Sequence, residues 1–126
     1  MTDITEHFRL DGKAALVTGA GKGIGRGIAL AFAKAGADVV LVARTKDDLE
    51  TVAEEVRAVG RAAVAIPADV TDIESLGNVV DQAVRSLGGL DTVVNNAGGV
   101  EQLGTYPNMT VAILESAFRF NVSAPF

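Results

Sequence analysis

The residues Thr18-Gly19-Ala20-Gly21-Lys22-Gly23-Ile24-Gly25 directly follow the apolar run Ala14-Ala15-Leu16-Val17 and open a helical pattern. Strand, glycine turn and helix N-terminus, in that order, are suited to holding a phosphate. The first N–H groups of a helix have no intrahelical partner, and the positive end of the helix dipole faces the same turn. Glycine at 19, 23 and 25 lets the chain turn tightly and lets backbone approach a ligand without a Cβ in the way. The spacing excludes two common phosphate sites. A P-loop ends in Gly-Lys-Ser/Thr, but here Lys22 is followed by Gly23, and Leu16 stands where the loop's first glycine belongs. A Gly-x-Gly-x-x-Gly fingerprint starting at Gly19 or Gly21 would need its third glycine at Ile24 or Arg26.

What remains is Thr-Gly-x-x-x-Gly-x-Gly, and two later stretches join it. Asp69-Val70 follows the run Ala62 to Pro67, and Asn95-Asn96-Ala97-Gly98 follows Asp91-Thr92-Val93-Val94. Each lies just past a presumptive parallel strand, at the carboxyl edge where open α/β sheets bind ligands. With these motifs in this order from Leu10 onward, the chain resembles the short-chain dehydrogenase/reductase family. The resemblance implies that Gly19, Gly21, Lys22, Gly23 and Ile24 hold the cofactor phosphates. It further implies that Asp69 and Val70 flank the adenine, while Asn96, Ala97 and Gly98 line the ribose side. Asn121, in Phe120-Asn121-Val122, matches the family's helix asparagine, which supports the catalytic lysine through water, and is the one catalytic residue of the family with a counterpart here.

The end of the second strand bears on the choice of cofactor. An NAD site usually carries an acid there to accept both ribose hydroxyls and to repel a 2′-phosphate. In Val39-Val40-Leu41-Val42-Ala43-Arg44 the place of that acid is taken by Ala43, and Arg44 follows. A guanidinium presents a planar fork of donors to phosphate, and Lys22 can reach the same group from the glycine turn. Two cations and no acid favour NADP(H) over NAD(H).

The elements that must position these residues follow from hydrophobic periodicity. Strands are expected at about 13–18, 38–43, 62–67 and 91–95. Between them Ile24, Ile28, Ala31, Phe32 and Ala35 recur at helical spacing, as do Leu49, Val52, Ala53 and Val56, and then Leu76, Val79, Val80, Ala83, Val84 and Leu87. Gly36 and Gly60 fall where helix C-caps belong, and Thr71 or Asp72 suits the N-cap of the third helix. Apolar strands alternating with amphipathic helices imply an α/β fold, a Rossmann-like doubly wound parallel sheet with helices on both faces and right-handed crossovers. The family resemblance gives its strand order as 3-2-1-4, within one NAD(P)-binding domain over residues 1–126.

Composition narrows the function classes. At 126 residues, 48% hydrophobic and 21% charged, the chain has the makeup of an ordinary globular domain. A net charge of −5 argues against nucleic acid as a partner. No apolar run reaches the ~18 residues of a membrane span, and the opening has no signal-peptide shape. The absence of cysteine excludes disulfides and thiolate metal sites and suits a cytoplasmic setting. No metal site is expected, and His7, Asp47-Asp48, Glu54-Glu55 and Asp91 read as surface, dipole-facing or turn residues. Tyr106 reads as a packed loop aromatic.

The family's chemistry also needs a serine and a Tyr-x-x-x-Lys downstream of Asn121. The only tyrosine is Tyr106, followed four positions later by Thr110, and the last lysine is Lys46. The expectation is therefore the cofactor-binding first part of a longer carbonyl/alcohol oxidoreductase acting on a small molecule, a homotetramer or homodimer when full length. A non-catalytic nucleotide-binding or interaction module that naturally ends here is the alternative.

Overall fold

The computed structural model describes residues 3–100 and 104–126. Four parallel strands form one sheet: β1 (Ala14–Thr18), β2 (Asp38–Ala43), β3 (Ala63–Pro67) and β4 (Thr92–Val94). Their order is β3-β2-β1-β4, as the resemblance implies, so the chain winds one way through β1, β2 and β3 and then reverses to place β4 beside β1. The register sets Thr18 opposite Val42 and Val17 opposite Val94, which brings the carboxyl ends of β1, β2 and β4 to one edge.

Strand residues alternate between two cores because successive side chains leave a strand on opposite faces. Val39 and Leu41 join the cluster under the first two helices, whereas Val40 and Val42 join Ile66, Val79 and Ala83 on the other side. Helix α1 (Gly23–Ala35) and helix α2 (Lys46–Ala58) cover the first face; helix α3 (Leu76–Leu87) covers the second. In α2 the apolar row Leu49, Val52, Ala53 and Val56 is fully buried, as its periodicity predicts. Burial of Leu or Val side chains of this kind contributes roughly 1.5–3 kcal/mol each.

Helix α1 departs from the expected stripe. Its buried row is Gly25, Ala29 and Ala33, while Ile24 is 77% exposed and Ala31 lies at the surface. The reason is distance: a helix that follows β1 after a short glycine turn lies close to the sheet, so small side chains sit deepest beneath it, while Ile28 and Phe32 of the expected row, with Leu30, pack half-buried against the same core. A Cβ on Gly25 would run into the Gly19 carbonyl and lie 2.6 Å from Asn96 Nδ2.

The helix ends are displaced by small amounts. Gly36 (φ 111°) caps α1 in the left-handed region, but α2 is capped by Val59, with Gly60 (φ 87°) one residue beyond. Asp72 opens a 3₁₀ turn, Ile73–Ser75, and Ser75 rather than Thr71 or Asp72 stands at the N-cap of α3. Side-chain ties fix the amino ends of the strands. Asp38 Oδ1 accepts from Arg61 Nη2 (2.8 Å) and from the Ala62 N–H (3.0 Å), and Asp91 Oδ2 accepts from the Ala14 N–H (2.9 Å). Beyond β4 come a 3₁₀ turn at Tyr106–Asn108, helix α4 (Val111–Phe118) capped by the Thr110 hydroxyl, and a π-helical turn, Arg119–Ser123. Tyr106 is not packed: it is 92% exposed, since that turn stands clear of both cores. No described helix is long and apolar enough to cross a membrane.

Two glycines of α1 should respond oppositely to alanine. Gly25→Ala drives a methyl into the Gly19 carbonyl and is expected to cost about 1–3 kcal/mol. Gly27 has no atom within 4 Å of an added Cβ, so Gly27→Ala is expected to add about 0.4–1 kcal/mol by restricting the unfolded chain. Urea unfolding of both variants checks the pair; equal effects would contradict the close approach of α1 to β1.

Candidate functional site

The chain leaves β1 at Thr18 and turns at Gly19, which adopts φ 64°, a left-handed conformation open to glycine. The carbonyls of this turn are held from β4. Asn96 Nδ2 donates to Thr18 O (3.1 Å) and Gly19 O (3.3 Å), while the N–H groups of Asn96 and Ala97 donate to Thr18 Oγ1 at 3.1 and 2.9 Å. Thr18 thus locks the ends of two adjacent strands together. Nothing in the sequence pattern singled it out beyond its place in the glycine motif.

The turn delivers the start of α1 without a side-chain cap. Lys22 stands at the N-cap in extended conformation (φ −161°, ψ 172°), and its ammonium, having no lone pair, accepts nothing. The N-terminal N–H groups of α1, those of Gly23 and Ile24 included, are thereby left to an external acceptor. Neither residue is among those lining the adjoining cleft.

That cleft has a volume of about 300 Å³ and lies across the carboxyl ends of β1, β2 and β3. Gly19, Gly21 and Lys22 border it on one side, Ala43 and Arg44 at the end of β2, Asp69 and Val70 past β3, and Asn96, Ala97 and Gly98 past β4. The structure therefore gathers nine of the residues expected at the cofactor around one space. Thr45, Asp48, Ala68, Thr71 and Phe120 line it as well. In sequence Asp48 reads as a dipole-facing surface acid; what places it at the cleft is its approach to Gly21, which local sequence does not signal. A second cleft, about 270 Å³, lies between α3 and β4. Its lining, which includes Leu16, Val42, Val79 and Val93, has no charged residue, so it offers nothing to a phosphate.

The charges of the first cleft are unevenly engaged. Asp69 Oδ1 accepts from the Thr71 hydroxyl (2.7 Å) and the Thr71 N–H (2.9 Å). These two bonds, with the Arg44 charge nearby, hold its carboxyl below the usual carboxylate range. Among the described residues, the Lys22, Arg44 and Asp48 side chains make no hydrogen bond or ion pair. Glu55, on the same helix as Asp48, is by contrast paired with Arg26 at 2.6 Å.

Asn121 sits outside the cleft. Its Oδ1 accepts from the Gly99 N–H (2.9 Å), and its Nδ2 donates to Gly99 O (2.8 Å) and Ala117 O (2.9 Å). A Cβ on Gly98 would stand 2.8 Å from the same Oδ1. In this arrangement the asparagine braces the rim, and its neighbour Arg119 reaches across to donate from Nε to Thr71 O (2.8 Å). His7 belongs to a 3₁₀ turn, Ile4–Phe8, and no group of three or more His, Cys, Asp or Glu side chains that could hold a metal occurs among the described residues.

The cleft suits the adenosine and phosphate part of a dinucleotide on structural grounds: an uncapped helix N-terminus, glycines where a Cβ would clash or crowd, and two unengaged cations. The comparisons bear on family and fold. The family model for short chain dehydrogenase matches residues 13–126. An uncharacterized oxidoreductase of Mycobacterium tuberculosis is 47% identical over 123 residues, covering 94% of this chain and 45% of its own length. A versicolorin reductase of Emericella nidulans is 41% identical, covering 97% of this chain and 46% of its own. Among solved structures, a 7α-hydroxysteroid dehydrogenase complexed with NADH and 7-oxo glycochenodeoxycholic acid superposes with a TM-score of 0.91 at 39% identity. That match covers 98% of this chain and 48% of the other. The chain spans about half the length of the relatives it matches.

Thr71→Val tests the Asp69 interaction. Loss of the hydroxyl should raise the Asp69 pKa toward the ordinary value of about 3.9, read by NMR titration of the carboxyl carbon. Because the native pKa is depressed, the stability that Asp69 contributes is present above the ordinary carboxylate value and is lost as pH falls through the native one. The acid-side loss should therefore shrink in the variant; an unchanged Asp69 titration would exclude the hydroxyl as its cause.

Proposed function

The chain belongs to the short-chain dehydrogenase family, whose model matches residues 13–126, and from that membership we propose that it is the cofactor-binding portion of an NADP(H)-dependent oxidoreductase interconverting a carbonyl and an alcohol. The observation that carries the cofactor choice is the meeting of Lys22 and Arg44 at one cleft, with Ala43 where an NAD site usually has an acid. A 2′-phosphate between these cations gains charge-assisted hydrogen bonds from the guanidinium fork and a point charge from the ammonium. Two of the relatives are named for small molecules, a versicolorin reductase and a hydroxysteroid dehydrogenase, and a small-molecule carbonyl or alcohol is the substrate class proposed here.

The residues of this chain bind and orient. In the proposed complex the N–H groups of Gly23 and Ile24 and the turn at Gly19 to Lys22 take the pyrophosphate, Asp69 and Val70 flank the adenine, and Asn96, Ala97 and Gly98 border the ribose. The cofactor, when bound, supplies or takes up the hydride. Reduction of a carbonyl also needs a proton donor at the developing alkoxide. No Tyr-x-x-x-Lys occurs in these 126 residues, so they provide the binding half of the chemistry. Asn121, braced against Gly99, is proposed as a positioning residue for the catalytic group. A cytoplasmic location and a homotetramer or homodimer complete the proposal.

Two outcomes test this reading. Arg44→Ala should weaken NADPH by about 1.5–3 kcal/mol, a roughly ten- to hundredfold rise in Kd, while leaving NADH nearly unchanged. Equal weakening of both cofactors would show that Arg44 packs against the adenine or the fold and does not read the phosphate. Separately, the purified 126-residue chain is expected to turn over no carbonyl in an NADPH-oxidation assay; turnover above a blank would overturn the assignment of roles.

A further inference from the structure

The cleft that brings Lys22 and Arg44 together also contains an acid. Asp48 lines it from the first turn of α2, beside Gly21 and Ala43. A Cβ built on Gly21 would lie 3.1 Å from Asp48 Cβ, 3.6 Å from Ala43 Cβ and 3.9 Å from Asp48 Oδ2. The carboxylate therefore stands over the glycine turn at the end of β2. Ala43 Cβ borders the same point, so an acid from the following helix stands beside the end of β2. It is solvent-exposed and forms no ion pair or hydrogen bond among the described residues.

We propose that Asp48 is a specificity-determining residue that acts against the two cations: its carboxylate opposes a 2′-phosphate and offers an acceptor to ribose hydroxyls. The inference rests on the reading of Lys22 and Arg44 as the 2′-phosphate site and deepens it. A free carboxylate and a phosphate in one cleft repel each other, and Coulomb attraction to Lys22 and Arg44 must outweigh that repulsion. Asp69, the other acid in the cleft, keeps its charge but is held past β3 by two hydrogen bonds from Thr71, whereas Asp48 has no such tie. Discrimination between the two cofactors is therefore graded. NADPH is preferred by less than the two cations alone would give, and NADH retains a partner for its 2′-hydroxyl.

Asp47 provides an internal control. It occupies the same helical turn, has the same charge and the same relation to the helix dipole, and does not line the cleft. Dissociation constants of NADPH and NADH are measured by calorimetry for the unmodified chain, Asp48→Asn and Asp47→Asn, with thermal melts of each. Asp48→Asn should raise the NADPH:NADH affinity ratio by about three- to tenfold at low ionic strength, with the gain shrinking as salt is added. Asp47→Asn should leave the ratio unchanged. An unchanged ratio in Asp48→Asn, or an equal rise in both variants, would overturn the proposal, because either result reduces Asp48 to a dipole-facing surface charge. Arg44→Ala in the same assay separates the two readings. If Arg44→Ala lowers the ratio and Asp48→Asn does not raise it, the 2′-phosphate site stands and the role of Asp48 fails. If Arg44→Ala leaves the ratio unchanged, the underlying site fails first.

Discussion

The geometry of the site depends on how closely β1, β4 and α1 approach one another at the Thr18-Gly19 turn. Asn96 spends its amide N–H groups on the carbonyls of both turn residues, and Thr18 Oγ1 accepts from two successive N–H groups past β4. Gly25, without a Cβ, presses against the same turn from the other side. Thr18, Gly19 and Asn96 are half-buried, and these hydrogen bonds stand in for water their polar groups have lost. Once the turn is fixed, the start of α1 and the ends of β1 and β4 have fixed relative positions, and Gly21 and Lys22 follow from them. The adjacent cleft is thus a by-product of strand-end packing, shaped before any ligand enters.

Charge, rather than shape, distinguishes one part of the cleft from another. Its side past β3 is electrostatically settled, with Asp69 engaged by Thr71 and near the Arg44 charge. At the end of β2 the side chains of Lys22, Arg44 and Asp48 stand free among the described residues. Polar groups left unengaged around a built cavity are those available to a ligand, whereas paired charges such as Arg26 with Glu55 or Arg61 with Asp38 hold secondary structure in place.

Much of the fold was legible because its signals are chemical and local. Apolar runs of five or six residues alternate with helical periodicity, and the buried row of α2 coincides with its expected one. Helix α1 was harder to read. Hydrophobic periodicity gives weight to Ile24 and Ala31, which are exposed, as well as to Ile28 and Phe32, which do pack against the core; the deepest contact is made by Gly25, Ala29 and Ala33, where smallness matters more than hydrophobicity. The exposed Tyr106 and the late N-cap at Ser75 were missed for a related reason: each depends on where a loop leaves the core, which local sequence does not encode. At the site, the residues that could be named individually by motif line the cleft together, with Gly23, Ile24 and Asn121 apart from it. Asp48 escaped notice because its importance comes from a tertiary contact with Gly21 across the α1–α2 junction.

The π-helical turn at Arg119–Ser123 ties both rims of the cleft through residues two apart, Arg119 to Thr71 on one side and Asn121 to Gly99 on the other. A short segment that grips two rims behaves as a strut: it sets the width of the opening and resists independent movement of either side. Widening the mouth means breaking hydrogen bonds at both ends of the strut or shifting the turn as a unit. The same turn carries Phe120, which lines the cleft, so one short segment both holds the opening and forms part of its wall.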